Sequence, residues 1–142
     1  LNTMKHSLLI LNIAGLALLS GCSDQETDIH ALERETQAYE SVLVQKMNTT
    51  ELLTHIQSLA DAMTLATQSE QYAEMHHLEI ALTKALVALN VQAPSNLKPT
   101  IKTLKIIAAK IHGAGHDQNK SMAATLDKTL QERVAQLKRG FE

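Results

Sequence analysis

From residue 49 onward, apolar residues recur at alternating intervals of four and three, the period at which one face of an α-helix meets a core. Leu52, Ile56, Leu59, Met63 and Ala66 form the first stripe, over about 49–68. Asn48 precedes it and Glu51 follows three residues on, a capping-box pattern that satisfies free backbone N–H groups at a helix start. Met75, Leu78, Leu82, Leu86 and Leu89 form a second stripe over about 70–91, with Ser69 placed to cap it. The stretch 92–99 holds both prolines, and the residue before a proline is biased away from helix. One helix therefore ends before Pro94. Ser95 or Asn96 can cap the next, and Pro99 is tolerated in its first turn.

The third stripe, over about 97–112, is Leu97, Ile101, Leu104, Ala108 and Ile111, and Gly113-Ala114-Gly115 is expected to stop it. Asp117 or Asn119 starts a fourth, which runs to about Arg139 on Ala123, Leu126, Leu130, Val134 and Leu137. Lys138 and Arg139 suit the negative end of that helix, and Gly140 can close it. Ahead of these four, residues about 24–47 place Ile29, Leu32, Tyr39, Val42 and Leu43 on one side of a further, more polar helix. Connections of a few residues imply antiparallel neighbours. The pattern predicts an all-α protein: an up-down four-helix bundle over 49–142, preceded by an N-terminal helix within 22–48.

The first 21 residues follow a different rule. Lys5 and His6 precede an apolar run from Leu8 to Leu19, broken by Asn12 and softened by Gly15. A bilayer-spanning helix needs about 20 apolar residues, so this run is too short to span but fits the apolar region of a signal peptide opening at Met4. The segment Leu19-Ser20-Gly21-Cys22 follows, and Cys22 is the one cysteine of the chain. It resembles the lipobox of bacterial lipoproteins. The resemblance implies removal of residues 1–21 and acylation of Cys22, with palmitate among the acyl chains. It also implies a membrane tether on the periplasmic side of the cell envelope. Under the sorting rule of enteric-type lipoproteins an Asp after the lipidated Cys retains the protein at the inner membrane. Ser23 stands there, which favours the outer membrane. A free thiol without a partner would be a liability in a disulfide-permissive compartment, and acylation accounts for it.

Composition narrows the functions. Thirteen basic and fifteen acidic residues leave no basic excess for nucleic acid. Tyr39, Tyr72 and Phe141 are the only aromatics, so stacking platforms for bases are not expected. Ser69, Ser95 and Ser121 stand in no glycine elbow, and Glu33 with Glu35, or Glu70 with Glu74, read as solvated helix faces. No catalytic constellation emerges, and the chain is not expected to be an enzyme.

Histidine is the exception to this plainness. Six remain after the signal: His30, His55, His76, His77, His112 and His116. A hairpin with its tip at 93–94 pairs residues whose numbers sum to about 187. It sets His76 level with Ile111, and Met75 level with His112. Tips near Ser69 and Gly115 bring Met63 level with Met75 and Met122 level with Ala109. One end of the bundle thus gathers Met63, Met75, His76, His77, His112, His116 and Met122, and His30 joins if the N-terminal segment folds back. Imidazole with thioether suits copper, and imidazole with carboxylate suits zinc or nickel. The candidate metal ligands are Met75, His76, His77, His112 and His116. Gly113 and Gly115 interrupt the four-residue spacing of His112 and His116, so the two need not share a helical face. The alternative role for the methionines is core filling, and for His76 a place on the rim.

The stretch Tyr72-Ala73-Glu74-Met75-His76-His77-Leu78-Glu79-Ile80-Ala81-Leu82 resembles a helix of small periplasmic helical domains of unknown function, a likeness of about 20 residues that implies no activity. The helical plan also resembles four-helix b-type cytochromes, but the segment from Gln118 onward has no His to ligate haem axially, and no CxxCH exists. Two expectations result. The first is a membrane-tethered binding or structural module acting through a protein or envelope partner, with no cofactor. The second is a copper- or zinc-handling protein using the His/Met end.

Overall fold

The computed structural model describes residues 29–30 and 33–142. The signal, the lipobox and Cys22 lie outside them, as do residues 24–28 and Leu32 of the expected first helix. Four α-helices follow one another: α1 (Thr49–Gln68), α2 (Tyr72–Gln92), α3 (Lys98–His116) and α4 (Lys120–Arg139). Among the described residues there is no strand. Each helix packs on the next and α1 closes the ring against α4. The contacts run in opposite senses along the paired helices. Thr64 reaches Asp127 while Lys138 reaches back to Gln57, and His76 meets His112 while Gly115 lies by Tyr72.

All five stripe residues of α1 and α2 are buried, as are those expected for the third helix. Leu126 of α4 is only partly buried, packed at the edge of the core. Among the described residues every member of the core cluster lies between Val44 and Leu137, so a chain beginning at Ser23 retains all of it. No helix among the described residues is long and apolar enough to cross a membrane.

Local chemistry sets the boundaries. Asn48 Oδ1 accepts from the Glu51 N–H at 3.0 Å, and Glu51 returns the bond at 2.8 Å, the expected capping box. Ser69, expected to start α2, instead ends α1. Glu70 takes the left-handed conformation at φ 55°, and Gln71 N–H reaches back to Ala66 O at 2.9 Å. The glycine stop expected at 113–115 is likewise overturned, since α3 continues to His116. Gly113 faces open space, whereas Gly115 is buried beside Met75 and Tyr72. Each glycine costs about 1 kcal/mol in a helix interior, which packing of Ile111 and Ala114 offsets. The stop comes at Gln118, φ 49°, where Asn119 N–H bonds Ala114 O at 2.8 Å. Neither Ser95 nor Asn96 caps α3; its cap is Leu97, with Pro99 in the first turn as expected.

The N-terminal segment departs most. Over 33–48 the chain is not an α-helix but an extended arm with two single 3-10 turns, Ala38–Ser41 and Val44–Lys46. Side chains compete here for the backbone. Arg34 Nη1 and Gln37 Nε2 both donate to Glu35 O, and Glu40 accepts from the Gln37 N–H. The helical ring is already closed, so no further core face remains for a fifth helix. The arm lays Tyr39, Val42, Val44 and Met47 on the bundle and leaves Leu43 exposed. Its start lies at the N-terminal end of α2, where Arg34 pairs with Glu74. Its finish lies at the other end, where Gln92 Nε2 donates to Met47 O.

Candidate metal centre

Because α3 runs unbroken through its glycines, His112 and His116 fall one turn apart on one face. His76 of α2 comes level with them across the antiparallel seam, and the start of the arm brings His30. The four rings form one cluster. His76 Nδ1 lies 2.9 Å from His112 Nε2, and His30 Nε2 lies 2.9 Å from His116 Nε2. Neighbouring ring centroids are 4.3–4.7 Å apart. One ring nitrogen from each of His30, His112 and His116 lies within 4.8 Å of the others. His30 and His116 are exposed, so the cluster opens to solvent, while His76 and His112 form its half-buried floor.

Glu79 fixes the floor. Its Oε2 stands 3.5 Å from His112 Nδ1, and its Oε1 accepts from Thr83 Oγ1 at 3.0 Å. A carboxylate on one ring nitrogen directs the proton there and leaves the other nitrogen as a lone pair. His112 Nε2 is therefore the atom presented to the cluster. Burial holds the His112 imidazolium below the usual histidine range, and Glu79 opposes that shift. For His76, burial acts together with the surrounding imidazoles of His112, His30, His77 and His116, and its pKa falls to about 4. The floor is thus neutral at physiological pH, the state in which imidazole can coordinate.

The other expected ligands lie elsewhere. His77 turns towards the arm, with Nδ1 3.1 Å from Glu40 Oε1. It belongs to an ionic network in which Arg34 reaches Glu40 at 2.6 Å and Glu74 at 3.3 Å, and Tyr39 donates its hydroxyl to Glu74. Gln37 N–H and Arg34 hold the Glu40 carboxyl low against the upward pull of burial, and burial with Glu74 raises the Tyr39 phenol. Met75 is fully buried in the core, its Cε 3.5 Å from where a Gly115 Cβ would stand. Met63 is core as well, and Met122 is exposed at a groove beside Gly113 and Ala114. The donor set at this end is therefore imidazole alone. Glu79 escaped the sequence reading, although its three-residue spacing from His76 put it on the same face of α2.

No protein-family model, curated protein or solved structure matches the chain.

Proposed function

We propose that this is a metal-binding module that holds a divalent transition-metal ion, copper(II) or zinc, in the cluster of His30, His76, His112 and His116. The observation that carries the reading is the pose of His112, with Glu79 behind one ring nitrogen and His76 at the other, beside His30 and His116, which with His112 offer three ring nitrogens within 4.8 Å of one another. Ligand nitrogens around a tetrahedral zinc with bonds of 2.0–2.1 Å stand roughly 3.3 Å apart, so the two 2.9 Å pairs would open by tenths of an ångström and the nitrogens of His30, His112 and His116, within 4.8 Å of one another, would settle at that spacing. The ion would replace the protons now shared between the rings. With thioether absent from the donor set, soft copper(I) loses its reason for preference. On the same reading the chain is a lipid-tethered envelope protein acylated at Cys22, and the module works beside a membrane. The wider expectation of an envelope protein partner has no comparable feature in its favour.

A chain beginning at Ser23 should be titrated with zinc and copper(II) at pH 7.5 and pH 5.5. A ligand selective for the native state stabilises it by mass action, about 2.7 kcal/mol at a hundredfold excess over Kd. The melting temperature should rise at pH 7.5. The rise should shrink at pH 5.5, because imidazole must be neutral to coordinate and protons compete with the ion. His112→Ala with His116→Ala should abolish it. An unchanged shift in that double variant, or no shift with either metal, would remove the reading.

A further inference from the structure

Between Ile80 and His116 the chain carries five lysines, Lys84, Lys98, Lys102, Lys105 and Lys110, and neither Asp nor Glu. That segment is +5 in a chain whose formal charge is −2, which leaves −7 on the rest. Folding concentrates the charge. Lys98, Lys102 and Lys105 line one groove between α2 and α3, together with Val87, Asn90 and Pro99. Among the described residues none of the five lysines has an acidic group within ion-pair distance. Helix α4, equally rich in basic residues, interleaves them with Asp127 and Glu132.

Aliphatic side chains stand exposed on the same two helices, and Val87 lines the groove itself. Val87 is 47% exposed, and Val91, one turn further along α2, is 82% exposed. Ile106, one turn beyond Lys102, is 48% exposed. Lysine with exposed Val and Ile, and without Trp, Tyr or Arg, lacks the anchors that dominate protein interfaces. It suits a surface of phosphate over hydrocarbon, where apolar residues enter the headgroup layer and lysine stems lie flat with their ammonium groups at the phosphates.

We infer that the α2–α3 groove docks on an anionic phospholipid surface, with Lys98, Lys102 and Lys105 meeting lipid phosphates and Val87, Val91 and Ile106 entering the headgroup layer. The surface is independent of the metal site. Each lysine at such a membrane contributes about fivefold in affinity, so three together contribute about 100-fold.

The chain from Ser23, which carries no lipid, is tested by cosedimentation with two kinds of vesicle. One is phosphatidylcholine alone, and the other contains about one-quarter phosphatidylglycerol. Binding is expected to the second kind only, and to fall steeply from about 0.1 M to about 0.5 M salt. Lys98→Gln, Lys102→Gln and Lys105→Gln together should weaken it by about 100-fold. Lys128→Gln, Arg133→Gln and Arg139→Gln, the same charge change on α4, should leave it nearly unaltered. Val87→Ser with Val91→Ser should weaken it without changing the salt slope, which keeps the test valid if the lysine variant is unstable. Absence of binding to anionic vesicles overturns the inference. So does equal loss in the α4 variant, which would mark a diffuse charge effect. Capture by soluble polyglutamate without capture by vesicles would overturn it in favour of an acidic protein.

Discussion

At His112 the two ring nitrogens face different neighbours, a carboxylate on one side and an imidazole on the other, and this asymmetry makes the residue suited to a metal. If Glu79 sets the tautomer and raises the basicity of Nε2, its removal should reach the ion without touching a ligand. Glu79→Gln is expected to weaken zinc binding about 10-fold, and Glu79→Ala up to about 100-fold, with the melting temperature of the metal-free protein little changed. Isothermal titration at pH 7.5 reads both, and an affinity within twofold of the parent in Glu79→Ala would show that His112 needs no partner. Residue spacing told which histidines stand at the same height, since hairpin arithmetic depends only on rise per residue and on where the tip lies. It could not tell direction. His76 and His77 are adjacent in sequence and about 100° apart around the helix, so one faces α3 and the other the arm. Met75 faces the core for the same reason.

The elements themselves were legible where a stripe and a cap agreed, as at Asn48 and along α1, and along α2 from its stripe alone. Glycine is not punctuation in this bundle. Both connections at the histidine end, after α1 and after α3, close with the same pair of reverse hydrogen bonds around a left-handed residue, and in neither is that residue glycine. The glycines sit one turn earlier, inside α3, where a Cβ at Gly115 would make only ordinary contact with Met75 and Tyr72 of α2. A non-glycine side chain in the left-handed region carries a cost of roughly 1 kcal/mol. Gln118→Gly should therefore stabilise the bundle by up to about 1 kcal/mol, seen as a higher urea midpoint with unchanged slope. Gln118 makes no side-chain bond, so nothing is lost in exchange, whereas Glu70→Gly would also break the 2.5 Å pair with Lys120. A lower midpoint for Gln118→Gly would mean that this turn is held by something other than its backbone. The N-terminal segment departs from its pattern for a separate reason. Its apolar residues do keep to one side, but a helix also needs a core face to bury that side against, and four helices had already used it.

Taken whole, the molecule is a closed bundle with an arm strapped along α2, and the histidine cluster lies where the arm begins. Three ligands of the proposed ion come from the bundle and one, His30, from the start of the arm, where Ile29 is buried and His30 meets His116, so binding would strengthen that tie. Farther along, the arm is held by Arg34, Tyr39 and Glu40 on α2, and those contacts do not depend on metal. The strap should thus loosen from its start while its middle stays in place. Local opening has its own free energy, and a ligand that binds only the closed form raises it by mass action. At zinc about a hundredfold above Kd, amide exchange at His30, Glu33 and Arg34 should slow by up to about 100-fold, with exchange in α4 unaltered. His30→Ala separates the parts. Three imidazoles remain, so the variant should still bind zinc, more weakly, yet saturating zinc should no longer slow exchange in the arm. If zinc binds and the arm of the parent protein exchanges at its metal-free rate, the arm is not part of the site, and the ion is held by His76, His112 and His116 alone. If exchange slows equally in the His30→Ala variant, the strap tightens through the bundle and not through its own imidazole.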